Sequence, residues 1–386
     1  MDFALNEEQQ AFQDSAREFA ASRLAPFAAE WDAEETFPVD IIREAGDMGF
    51  LGLYTPEAYG GLGLSRLDAA IVFEELAAGC TSTAAYLTIH NMVSWMIASF
   101  GKPQLAEAWV PRMVSGELLG SYCLTEPGAG SDAASLKTRA EKKGEVYLLN
   151  GSKMFISGAG STDVLVVMAR TGGPGPKGVS AFVVPANAPG VQYGKKEKKM
   201  GWNSQPTRAI TFDNVEVPAE NLLGEEGMGF AYAMKGLDGG RINIATCAVG
   251  TAQAALAAAQ RYVQERQQFG QALAEFQTVQ FRLADMLTEL VAARQMVRLA
   301  AFKLDSGSPD AGAYCAMAKR FATDQSFNVA NNALQLFGGY GYLRDFPLER
   351  HVRDARVHQI LEGTNEVMRM IVARQLLKDG ALENLR

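Results

Sequence analysis

The chain has 386 residues, 48% of them hydrophobic and 21% charged, enough for a large core divided over two or three domains. Its net charge is −8, with acids and bases interspersed and no basic stripe, which argues against nucleic acid as a partner. Cys80, Cys123, Cys247 and Cys315 form no CxxC pair, and His90, His351 and His358 form no HExxH motif, so neither a disulfide framework nor a metal site is expected.

The first eight residues, MDFALNEE, are acidic and lack the basic and apolar regions of a signal peptide. A cytoplasmic location is expected on this ground, or the mitochondrial matrix for a mature eukaryotic form. Asn6 with Gln9 reads as a helix-capping pair, and Phe12, Ala16, Phe19 and Ala20 then share one helical face. Pro26 marks a kink or stop. Further helical runs cover about 38–48, 66–78 and 83–100. Residues 76–101 contain no Lys, Arg, Asp or Glu, but Thr81, Ser82, Thr83, Thr88, His90, Asn91 and Ser94 interrupt the run. A helix buried in protein fits this better than a membrane span.

The texture changes near residue 119, where Gly, Pro and β-branched residues become dense. Residues 146–149, Asn150-Gly151 and 152–156 read as a hairpin on a type I′ turn. Segments 163–169, 179–184 and 209–212 are strand-like, and 172–177 is a Gly/Pro loop. Helical texture returns after residue 229, with runs at 242–266, 276–304, 310–336 and 348–377. The order of helices, strands and helices predicts an α+β fold, mainly α. It has an N-terminal helical domain (1–119), a middle antiparallel β domain (120–229) and a C-terminal four-helix bundle (230–386).

Two stretches match dinucleotide-type glycine patterns. Gly173 to Gly178 fits GxGxxG, but a strand-like run follows where a helix must begin. Gly128 to Ala133 fits GxGxxA, but Asn150 stands where the ribose-binding acid belongs. A Rossmann nicotinamide domain is therefore not expected. Tyr122 to Ser131 is either an ordinary turn or a small-residue surface that lets backbone approach a ligand. Gly338 and Gly339 read as a helix end, or as a backbone surface for a phosphate. Glu362 is one of 44 acidic residues. Flanked by apolar residues and Gly363, it is either a helix-start acid or a partly desolvated base.

Together these motifs resemble the acyl-CoA dehydrogenase family over essentially the whole chain. The resemblance is carried by Cys123 to Asp132 (CLTEPGAGSD), Arg266 to Gln277 (RQQFGQALAEFQ), Gln335 to Gly339 and Glu362 to Arg374, in the family's order and spacing. Ile89 to Met92, Gly151 to Lys153, Phe155 to Gly160, Gly201 to Arg208 and Gly239 to Ala245 resemble the branch that oxidises isobutyryl-CoA. Phe155 and Ser157 stand where many members have Trp and Thr; Asp238 departs from an Asn found in part of that branch.

The resemblance implies FAD-dependent α,β-dehydrogenation of a short branched acyl-CoA, isobutyryl-CoA to methacrylyl-CoA. Glu362 is then the α-proton base and flavin N5 the hydride acceptor. Oxidation of 2-methylbutyryl-CoA or butyryl-CoA is the alternative, and a non-catalytic acyl-CoA-binding helical assembly is the alternative of another class. The implied flavin residues are Tyr122, Leu124, Thr125, Gly130, Ser131, Phe155, Ser157, Thr364 and Glu366 from one subunit. Arg266, Phe269, Phe276, Gln277, Gln335, Gly338 and Gly339 reach it from a neighbour in a homotetramer. Ser131, Asp238, Arg241, Gly363 and Arg374 match substrate positions, and an electron-transfer flavoprotein is the implied electron acceptor. Leu87, His90, Asn91 and Trp95 are candidates for setting the depth of the acyl pocket.

Overall fold

A computed structural model describes residues 4–378 and 380. Six helices come first: α1 (Glu7–Phe19), α2 (Ala28–Glu34), α3 (Val39–Asp47), α4 (Arg66–Gly79), α5 (Thr81–Phe100) and α6 (Pro103–Val114). The Asn6–Gln9 capping box forms reciprocally, and Ala16 and Phe19 are buried on the expected face. A π-helical turn over Ala20–Leu24 ends this helix just before Pro26. Ser65 and Asp68 make a second capping box at the start of α4.

The uncharged run becomes α5, whose polar side chains find internal partners. His90 joins the carbonyl of Met113 through Nε2 at 3.0 Å and accepts from the Gly120 N–H through Nδ1 at 3.2 Å. Asn91 accepts from the Leu53 N–H and donates to the carbonyls of Phe50 and Leu87. These two residues are therefore committed to backbone, and Leu87 is fully buried in the first core.

Eight strands then form one sheet: β1 (Gly120–Cys123), β2 (Arg139–Lys143), β3 (Val146–Ser157), β4 (Val164–Arg170), β5 (Val179–Pro185), β6 (Val191–Tyr193), β7 (Thr207–Pro218) and β8 (Leu222–Leu223). The order is β6-β7-β3-β2-β4-β5-β8, with β1 also on β4. The sheet is mixed rather than purely antiparallel: β1 runs parallel to β4 over four residue pairs, and β2 meets β4 in parallel at Arg139 and Arg170. The Gly/Pro loop at 172–177 joins the antiparallel pair β4–β5, as expected.

The Asn150-Gly151 turn is not formed. β3 runs straight through both residues, and the turn before it lies at Gly144 (φ 64°). Gly151 (φ 145°) instead sits at a shift of register against β7, where Asn150 Oδ1 accepts from the Asn214 N–H. The pair marks a β-bulge, which a glycine in an unusual conformation also serves.

The remaining helices are α7 (Gly229–Glu265), α8 (Gln277–Asp305), α9 (Ala311–Phe337), α10 (Leu348–His358) and α11 (Asn365–Leu376); β9 (Gln267–Gln268) and β10 (Gln271–Ala272) pair between α7 and α8. α7 starts earlier than Ile242 and carries Gly236, Gly239 and Gly240 in its interior. Each glycine costs a helix about 1 kcal/mol, but all three are buried against neighbouring helices, and packing prevails. By length and composition α7 is the one helix among the described residues able to cross a membrane; 78% of its most apolar window is buried inside the fold. The run at 348–377 is broken into α10 and α11, both packed on α9, by a turn that holds Glu362. All four cysteines are free and buried.

Candidate active site

The turn between α10 and α11 places two consecutive residues at positive φ, Glu362 at 55° and Gly363 at 89°. Glycine adopts this region freely, whereas a glutamate does so only when its surroundings impose it. Asn365 closes the turn by donating its N–H to the Gln359 carbonyl at 3.0 Å. Thr364 caps α11 by accepting from the Val367 N–H.

Glu362 Oε2 is buried and has no hydrogen-bond partner. Burial pushes the carboxyl up to about 7, opposed by the charges of Arg241 and Lys319. The oxygen faces α7 at Gly240, and Met92 Sδ of α5 lies at the same glycine. Arg241 pairs with Asp238 at 2.5 Å and leaves its Nε buried and unpartnered. The Tyr122 hydroxyl, also within electrostatic range of Glu362, is likewise buried without a partner. The group thus combines a raised carboxylate, a guanidinium and unused donors around one spot. Of the sequence-assigned substrate residues, Asp238, Arg241 and Gly363 gather here. Ser131 and Arg374 are exposed, and no hydrogen bond or ion pair joins them to the group among the described residues.

The Tyr122–Ser131 and Phe155–Ser157 stretches are tied together. A second bulge in β3, between Lys153 and Ile156, releases Met154 and Phe155 from β7. The Met154 N–H then donates to the Thr125 carbonyl at 2.8 Å, and Phe155 (φ 58°) turns outward, 63% exposed. Beneath them Lys153, fully buried, donates to Glu126 Oε1 at 2.7 Å and to the Leu124 carbonyl at 3.0 Å. Glu126 also accepts from the Lys137 and Thr138 N–H groups. This pair, missed from sequence, holds the Gly128–Gly130 turn open to solvent; a Cβ on either glycine would meet nothing within 4 Å.

A pocket of about 430 Å³ lies elsewhere, lined by Arg266, Gln268, Gln335, Gly338, Gly339 and Tyr340 among others. Arg266, Gln335 and the two glycines are exposed, and a Cβ on either glycine would meet nothing within 4 Å. Phe269 (φ 56°) is 94% exposed, with its ring 6.2 Å from that of Phe276; Gln277 opens α8 beside it. Neither Phe276 nor Gln277 lines the pocket, and neither do Tyr122, Thr125, Phe155 or Thr364. Of the residues assigned to flavin, Arg266, Gln335, Gly338 and Gly339 line this pocket.

The fold runs helices, mixed sheet and helices, and its buried carboxylate faces a glycine-bearing helix within range of Arg241 and Lys319. The chain belongs to the acyl-CoA dehydrogenase family: the family's N-terminal domain matches residues 6–117, its middle domain 121–215 and its C-terminal domain 227–377. It is 55% identical over 375 residues to the mitochondrial isobutyryl-CoA dehydrogenase of Bos taurus, covering 97% of this chain and 90% of that one. The isobutyryl-CoA dehydrogenase of Dictyostelium discoideum is 54% identical over 97% of this chain and 90% of its own length. The solved butyryl-CoA dehydrogenase of Megasphaera elsdenii superposes with a TM-score of 0.95 at 42% identity, covering 98% and 100% of the two chains. Members of this family are FAD-dependent oxidoreductases.

Proposed function

We propose that the chain oxidises a short branched acyl-CoA, isobutyryl-CoA foremost, to the α,β-unsaturated thioester methacrylyl-CoA. The observation that carries this reading is Glu362: a buried carboxylate with one unpartnered oxygen, raised to about 7 by burial, on a turn held at positive φ. A carboxyl near neutrality is matched to general-base work. Glu362 takes the proton from the α-carbon. That carbon is far too weak an acid for a free carboxylate, so the thioester carbonyl must be polarised as the proton leaves. Among the described residues the Glu362 N–H has no backbone acceptor, and it supplies one donor. Asp238 and Arg241 then flank the thioester end of the substrate, and apolar neighbours such as Met92 exclude water.

FAD, when bound, supplies the acceptor for the β-hydrogen and its electron pair. The outward Phe155, the open Gly128–Gly130 turn and the unobstructed backbone at Gly338–Gly339 fit a large planar and phosphorylated group. Tyr122, Leu124, Thr125, Gly130, Ser131, Phe155, Ser157, Thr364 and Glu366 would hold it from one subunit. Arg266, Phe269, Phe276, Gln277, Gln335, Gly338 and Gly339 would do so from another. That the pocket at Arg266, Gln335, Gly338 and Gly339 includes none of Tyr122, Thr125, Phe155 or Thr364 supports sharing of FAD in a homotetramer. So do Phe281, Leu287, Val291, Leu299 and Phe302, apolar residues exposed along α8. An electron-transfer flavoprotein is the proposed electron acceptor.

The test compares kcat/KM on isobutyryl-, 2-methylbutyryl- and butyryl-CoA with an artificial electron acceptor. Isobutyryl-CoA is expected to lead both its straight-chain isomer butyryl-CoA and 2-methylbutyryl-CoA, the latter, one methylene larger, by roughly tenfold to a hundredfold. Equal or faster turnover of butyryl-CoA would remove the branched-substrate assignment.

A further inference from the structure

We propose that Lys319 is a positioning residue for the base: it fixes the turn that carries Glu362 and keeps the carboxylate available by its charge. This rests on the reading of Glu362 as the α-proton acceptor. Lys319 lies in the first third of α9 and is fully buried. Burying an ammonium is costly unless its donors are satisfied and its charge is used. Its Nζ donates to the Gly363 carbonyl at 2.7 Å and to Asn365 Oδ1 at 2.9 Å. It thereby grips the turn immediately after the base. Asn365 extends the hold, donating through Nδ2 to Asp324 at 2.7 Å and Thr323 at 3.0 Å. Thr323 returns to the Lys319 carbonyl at 2.8 Å. The network anchors the left-handed Glu362–Gly363 pair to α9, which explains how a glutamate is kept in that conformation.

A neutral amide also carries two N–H donors, but only lysine adds a positive charge beside the carboxylate. The charged and titratable groups around it are Glu362 itself, Asp324 on α9, Arg241 and Asp238 on α7, Glu366 on α11 and His358 on α10, with Tyr122 and Tyr54 on the side of the carboxylate. Burial pulls His358 down to about 3, so it stays neutral. Burial also pulls Lys319 down to about 7, with Glu362 and Asp324 opposing. Lys319 in turn opposes the rise at Glu362. Removing the cation therefore raises the carboxyl further, and the proton-accepting form is reached only at higher pH.

The experiment uses the FAD-loaded wild type and the variants Lys319→Met, Lys319→Gln and Lys319→Arg. Two readouts are taken: the pH profile of kcat/KM on isobutyryl-CoA, and an infrared titration of the Glu362 carboxyl in the apoprotein, assigned by difference against Glu362→Gln. With flavin content retained, Lys319→Met and Lys319→Gln are expected to lose about tenfold or more at neutral pH. Their acid limb and the infrared transition both move up by about one pH unit. Lys319→Arg keeps the limb near its wild-type place. If Lys319→Met fails to fold, Lys319→Gln decides, since its amide keeps two N–H donors without the charge. An unmoved limb and unmoved infrared transition in the variant that folds would overturn the proposal, even with lower stability or flavin content. Absence of turnover by the wild type would count against the dehydrogenase reading itself, and the infrared titration would still decide the coupling of Lys319 to Glu362.

Discussion

A Cβ built on Gly240 would lie 2.6 Å from Oε2 of Glu362, so the backbone of α7 and the carboxylate touch directly. Gly240→Ala must push the carboxylate aside. In helix propensity alone the change is favourable by about 1 kcal/mol. Activity and stability are therefore expected to separate. We expect kcat/KM to fall about a hundredfold, as for a displacement near 1 Å, while the melting temperature stays within a few degrees of wild type. Unchanged turnover would show that Glu362 has room to move without consequence.

The pH dependence of the reaction has a definite sign. Burial raises Glu362 from 4.5 to about 7, against Arg241 and Lys319. The base works only without its proton, so kcat/KM is retained above about 7 and falls about tenfold per pH unit below it. A profile of the flavin-loaded enzyme checks this. A limb near the ordinary carboxyl value of 4.5 would contradict it.

The Lys153–Glu126 pair makes a stability prediction. Lys153→Met leaves Glu126 without its cation, in a place where its side chain is only 6% exposed. Such a loss costs about 3–5 kcal/mol, and the double variant Lys153→Met/Glu126→Gln recovers part of it. Denaturant unfolding of the three variants measures both effects. Flavin content should fall with Lys153→Met, because the Leu124–Glu126 turn loses its anchor.

Arg266 lines the 430 Å³ pocket with Gln335 and the two glycines. Arg266→Ala removes the cation from that wall and is expected to weaken FAD retention about tenfold to a hundredfold. Fluorescence of flavin released on dilution reads this directly. A variant that stays fully loaded would take Arg266 out of the flavin contacts.

Much of the frame was legible because it rests on local rules. The Asn6 cap, the uncharged α5 and the long Ala-rich helices follow from capping and periodicity. What failed was local chemistry overruled by neighbours. Asn150-Gly151 suits a turn, but pairing of β3 with β2 and β7 on both sides keeps the strand going. Gly239 and Gly240 lie inside α7, where close approach of Arg66 and Glu362 leaves little room for a side chain. Lys153 with Glu126, and Lys319 with Gly363, are 27 and 44 residues apart, and no spacing rule links them. Glu362 could not be told from the other acids by its flanks. Resemblance supplied its role, and the fold adds the positive φ, the unpartnered oxygen and the raised carboxyl.

The most direct test of the account is anaerobic mixing of isobutyryl-CoA with flavin-loaded Glu362→Gln. Glutamine keeps the shape of the side chain and removes the base. The account expects the variant to bind FAD and substrate while substrate-dependent bleaching of the flavin is lost by about four orders of magnitude or more, at the upper end of general-base contributions. Bleaching at the wild-type rate would contradict the central claim that Glu362 takes the α-proton.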